Sequence, residues 1–262
     1  MTGSATSGRA WYVIAVAVCA VLAAAVGVVL LRGDTEPEQS RFRAYSLVKS
    51  GGIAGVMHHV QVSGDGTVLY ADDQPVAGRL PRRSIDRLST LLSDPDLADE
   101  GGGRDSRCAD AFRYTLTVGS TTVSRDDCGD GDTPLLDEII GLTTKDALQP
   151  LPDDAPEFRG LAATYRQDSG RVKVRIAADG TTEVTMPEGQ VRHDRVDTGT
   201  LDALRLLYAE PLVAPSGSGG GCAPVYEVTP EGASTLEVAG CGRMDDYRWV
   251  ARLTIIRRLA TT

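Results

Sequence analysis

The chain has 262 residues, a net charge of −9 and only 5% aromatic side chains, which favours small, loop-rich modules over one large core. The acidic balance argues against nucleic acid as a partner, because phosphate binding requires clustered Lys and Arg. No Walker loop, dinucleotide fingerprint, His-Glu-x-x-His or Gly-x-Ser-x-Gly string occurs, so the sequence indicates no enzyme class.

In chain order, Met1–Ala10 is small and polar with one cation, Arg9. Trp11–Leu31 follows as 21 residues without charge or proline, enough for a helix of about 30 Å, one hydrocarbon core. Trp11 and Tyr12 stand where interfacial aromatics belong. A cleavable signal ending at Ala23–Ala25 competes with this reading, but the apolar run continues through Val26–Leu31. Lipid attachment at Cys19 is disfavoured by Val18, where a small residue is expected. The expectation is a single-pass plasma-membrane protein that meets the lipid bilayer through residues 11–31. Arg9 and Arg32 leave the orientation balanced, and the remaining cysteines decide it. They fall into two similarly spaced pairs, suited to an oxidising compartment. This places the N-terminus in the cytoplasm and the rest outside, on a short stalk over residues 33–42.

The remainder is a tandem repeat. Cys108 and Cys128 lie 20 residues apart, Cys222 and Cys241 lie 19 apart, and Ala follows the first cysteine of each pair. Asp65-Gly66-Thr67 and Asp179-Gly180-Thr181 each precede the first cysteine by 43 residues. Between them, Ile85, Leu88, Leu91 and Pro95 correspond to Leu201, Leu204, Leu207 and Pro211. Each copy reads as strands around the Asp-Gly turn, an amphipathic helix, a second hairpin and a closing helix. In the first copy the second hairpin alternates Phe112, Tyr114, Leu116 and Val118 around Gly119-Ser120, and Thr133-Pro134 reads as the cap of the closing helix. In the second copy Tyr247, Val250, Leu253 and Ile256 form the closing helix.

The expected fold class is therefore α+β: a transmembrane helix, then two antiparallel-sheet-plus-two-helix modules in the order ββ(β)αββα, each with one disulfide. Module one spans residues 43–148, a proline-containing linker 149–158, and module two 159–262. Bridges Cys108–Cys128 and Cys222–Cys241 would each contribute about 3 kcal/mol. A zinc site is the poorer reading, since neither pair has a two-residue knuckle.

No metal or cofactor is indicated. His58 and His59 are adjacent and point to opposite faces of a strand. The run Asp126–Asp132 lacks the order of an EF-hand loop. One segment breaks the pattern: Ser50-Gly51-Gly52-Ile53-Ala54-Gly55, which has no counterpart in the second copy. Three glycines in five residues imply unusual φ values or a close backbone approach. Ile53 is then either tucked into the core or left as a lone apolar knob on a smooth loop.

Lys49-Ser50-Gly51-Gly52-Ile53-Ala54-Gly55 after a strand, followed by Phe112-Arg113-Tyr114-Thr115-Leu116-Thr117-Val118, resembles the emfourin family, small protein inhibitors of thermolysin-like metallopeptidases. The likeness covers residues 43–143; the anchor and the disulfides depart from it. It implies a secreted metallopeptidase as partner, with Ser50, Gly51, Gly52, Ile53, Ala54 and Gly55 as the proteinase-binding loop and Ile53 as its anchor. The alternative is a non-catalytic envelope module that binds a protein or cell-wall partner.

Overall fold

Two strand orders, β4-β3-β2-β1-β5-β6 and β10-β9-β8-β7-β11-β12, repeat one topology in two six-stranded antiparallel sheets. The computed structural model describes residues 42–53, 55–101, 110–128, 132–167, 170–215, 225–239 and 246–261. The first sheet comprises β1 (Tyr45–Gly51), β2 (Val56–Val62), β3 (Thr67–Ala71), β4 (Val76–Arg79), β5 (Phe112–Val118) and β6 (Thr121–Asp126). Helix α1 (Arg82–Leu91) follows β4, and α2 (Pro134–Leu142) follows β6. The second copy repeats this with β7 (Gly160–Gln167), β8 (Gly170–Ala177), β9 (Thr181–Thr185), β10 (Val191–Arg195), α3 (Thr198–Leu207), β11 (Val225–Pro230), β12 (Leu236–Ala239) and α4 (Tyr247–Thr261).

The expected class needs correction. Each repeat is ββββαββα around a six-stranded sheet, not ββ(β)αββα. The fourth strands escape sequence reading for a physical reason: β4 is Val-Ala-Gly-Arg, and β10 has one apolar residue, Val191, among four polar ones. Neither gives an alternation to detect. They form because the Asp-Gly-Thr hairpin sets them up. Asp65 and Asp179 accept from the amides of Thr67 and Thr181 at 2.9 and 3.0 Å. Next, Gly66 and Gly180 offer their carbonyls to the amides of Leu80 and Val196, fastening the ends of the fourth strands.

The membrane and disulfide expectations are corrected as well. Among the described residues no helix is long and apolar enough to cross a membrane, and residues 11–31 lie outside them. No disulfide joins two described residues: Cys128 is disulfide-bonded, whereas Cys108, Cys222 and Cys241 lie outside the described set.

Phe42–Thr262 form one unit, layered helix, sheet, helix, sheet. In the first repeat Val68 and Tyr70 of β3 face α1 and α2, joining Leu88, Leu91, Leu116, Leu136 and Ile139. Leu69 and Ala71 point the other way and, with Ala77 of β4, belong to the core of the second repeat. Helices α3 and α4 are therefore shared, packing on β3 and β4 as well as on the second sheet. Trp249 of α4 is 1% exposed and donates its indole N–H to the Val213 carbonyl at 2.8 Å. The segment expected to be a linker is fastened where it begins. Gln149 bridges to Arg79, and the Leu151 amide donates to the buried Asp202 carboxylate at 3.2 Å.

Helix ends differ from expectation in one place. Thr133 makes no capping bond, and its hydroxyl is buried without a partner among the described residues. Glu100 caps α2 instead, its two oxygens accepting from the amides of Leu135 and Leu136 at 2.8 Å each. A carboxylate there also meets the positive end of the helix dipole.

Candidate functional site

The loop singled out in the sequence joins β1 to β2. Pairing runs from Tyr45–Val62 to Gly51–Val56, so four residues, 52–55, close the hairpin. The Gly55 amide donates to the Gly52 carbonyl at 3.0 Å, placing Ile53 inside a tight turn. Ala54 lies outside the described residues.

Glycine is required here on steric grounds. Gly51 has φ +110°, and a β-carbon on it would stand 2.6 Å from the Ala111 carbonyl oxygen. Gly52 has φ +71°, and a β-carbon there would press to 2.8 Å on the Phe112 ring. The Gly52 amide also donates to the Ala111 carbonyl at 3.3 Å. The hairpin is thus seated on the start of β5, and its backbone is fixed by contact. Phe112 is held in turn: the Lys49 ammonium lies 4.1 Å from its ring centroid and 5.5 Å from that of Tyr114. Arg125 lies over the far side of the group, 5.5 Å from the Tyr114 ring, and pairs with Asp137 at 2.5 Å.

On this seat Ile53 is 88% exposed and Met57 59% exposed. Of the two readings left open by the sequence, the core position for Ile53 is thereby excluded. Met57 is the residue that sequence reasoning missed. It pairs with Ser50 in the register, one strand position from the closing pair Gly51–Val56. Its signal was a large apolar residue on the strand face opposite buried Val60 and Val62.

The other residues singled out serve structure. His59 stacks flat on Tyr247 of α4, ring centroids 4.0 Å apart, so it lies in the seam between the repeats. Burial lowers its pKa, against a smaller opposing effect of a Gln61 hydrogen bond, and its Nε2 has no partner among the described residues. His58 is on the opposite face, in register with Lys49. The acidic doublets supply turns and caps. Asp72 pairs with Lys145 at 2.6 Å, Asp127 accepts from the Phe112 amide, and Asp246 accepts from the Arg248 amide. Among the described residues no group of three or more His, Cys, Asp or Glu side chains is placed to hold a metal ion.

The arrangement offers binding by shape: a rigid loop, an apolar tip and a cation-aromatic base. No protein-family model matches the chain, and no curated protein matches it.

Proposed function

We propose that the Ser50–Gly55 hairpin is a docking loop with which this protein inhibits a thermolysin-like metallopeptidase. The observation that carries the reading is Ile53, 88% exposed at the tip of a hairpin in which Gly51 and Gly52 leave no room for a side chain. A single exposed isoleucine is common on a protein surface; this one is presented at the tip of a turn fixed against β5, within reach of a partner. Burying it in a partner's apolar pocket is worth about 2–3 kcal/mol. Because the turn is fixed by the Ala111 and Phe112 contacts, little conformational freedom is lost on docking.

Enzymes of this class cleave before a bulky apolar residue with a zinc-activated water. The loop fits such a cleft as follows. Ile53 enters the pocket for the residue after the scissile bond. Gly51, Gly52 and Gly55 keep the approaching main chain slim, and Met57 reaches the rim. The family resemblance of residues 43–143 supports the same reading.

The test is titration of the full chain against a thermolysin-like metallopeptidase. The expected outcome is stoichiometric inhibition weakened about 30- to 150-fold by Ile53→Ala, from the pocket energy above, and more by Ile53→Asp. Equal inhibition by wild type and Ile53→Asp, or none across several such enzymes at micromolar protein, overturns the assignment.

A further inference from the structure

The outer face of the second sheet carries a line of cations on an acidic chain. Along β8 the buried Val172, Val174 and Ile176 alternate with exposed Arg171, Lys173 and Arg175. Side chains two residues apart on a strand recur at roughly 6.6 Å, so these three cations form a ridge one strand wide. None of them makes an ion pair or side-chain hydrogen bond among the described residues. Arg166 of β7 stands in register with Arg171 and extends the ridge, although it is held by Glu227.

The neighbours leave the ridge accessible. Lys173 lies between Thr164 and Thr185, and Arg175 lies between Ala162 and Glu183. No Phe, Tyr or Trp of β7–β12 shares this face, since Tyr165 and Tyr226 stack on each other inside. Carboxylates flank it: Glu183 on one side, Glu227 and its register partner Glu237 on the other. Any polar residues would suffice to end a stack of repeats. Three cations in a row along one strand repel one another weakly, and an anion laid along them would relieve that repulsion.

We infer that this ridge binds a linear polyanion, a flexible phosphodiester chain of the polyol-phosphate type lying along β8. Arg and Lys supply the phosphate contacts, and the hydroxyls of Thr164 and Thr185 lie beside them. The flanking acids select a line of negative charge over a plane of it, because a bilayer surface would also meet Glu183, Glu227 and Glu237. The absence of a stacking aromatic argues against a single-stranded nucleic acid.

The experiment is a binding titration of the full chain with a synthetic glycerol-phosphate oligomer. A single-stranded oligonucleotide of equal charge and anionic phospholipid vesicles serve as separate arms. The expected result is selective binding of the glycerol-phosphate chain. Three neutralised phosphates give a slope of about −2 in log K against log salt. Replacing Arg171, Lys173 and Arg175 together by Gln should weaken binding at least tenfold, and Glu183→Gln should tighten it two- to threefold. Ile53→Asp leaves binding unchanged, which separates this proposal from the inhibitor reading. No binding at low salt, no loss in the triple variant, or equal binding of the oligonucleotide or the vesicles overturns it.

Discussion

Gly51→Ala tests whether the hairpin is held by sterics or only permits them. At φ +110° an L-residue lies outside the ordinary left-handed well, a strain of about 1–3 kcal/mol. The added methyl would also meet the Ala111 carbonyl oxygen at 2.6 Å, and that atom is backbone with no rotamer to yield. Relief requires the Gly51–Phe112 pairing to open, with loss of the adjacent Gly52 amide bond to Ala111. The sum is about 3 kcal/mol. Gly55→Ala provides the control: φ there is +60° and nothing lies within 4 Å of where its methyl would stand, so only the left-handed cost of roughly 1–2 kcal/mol applies. Urea titrations of both variants, compared at constant m-value, give the difference directly. Equal destabilisation by the two substitutions would refute the claim that β5 clamps the hairpin.

Other consequences are shorter to state. Trp249→Ala empties a 1% exposed site and orphans the Val213 carbonyl, so urea unfolding should show a loss of about 3–5 kcal/mol. His59 titrates below the ordinary histidine value because it is buried. Above that ordinary value both states are neutral and the residue contributes no pH dependence. As pH falls through it, the unfolded chain binds the proton first and stability drops. His59→Phe should therefore flatten the stability profile between about pH 7 and about 5, measured by denaturant midpoint. Glu100→Gln leaves one acceptor oxygen in place of two and removes the negative charge, and should cost α2 about 1 kcal/mol by the same measurement.

What the sequence made legible was local. The Asp-Gly-Thr turns, the helix faces of Ile85, Leu88 and Leu91 and the odd glycine loop all rest on interactions within a few residues. What stayed hidden depends on distant partners. Glu100 caps a helix 34 residues further on, so Thr133 looked like the better candidate. Strands β4 and β10 owe their pairing to a hairpin before them and carry no pattern of their own. Nothing in the sequence near Leu69 and Ala71 marks them as the face that a second repeat covers. At the candidate site, glycine spacing announced a special backbone. Whether Ile53 pointed in or out depended on Ala111 and Phe112, some 60 residues away.

Registers explain why the second sheet offers no landing site for a further repeat. Val62 pairs with Val68 as Ile176 pairs with Thr182, and Leu69 pairs with Ala77 as Glu183 pairs with His193. His59, Leu69, Ala71 and Ala77, which face the helices of the second repeat, thus correspond to Lys173, Glu183, Thr185 and His193. An apolar landing site in the first copy has become a charged one in the second, as a capping repeat requires. Exchanging one residue between the copies should therefore undo the stack. Leu69→Glu installs the second copy's residue in the first and sets an unpaired carboxylate in the shared core, a cost above about 4 kcal/mol. The helices should then leave the first sheet, exposing the Gln149–Glu157 segment to protease while the hairpin keeps its seat on β5. An unchanged digestion pattern would mean that the repeats are held together by something other than the Leu69, Ala71 and Ala77 face.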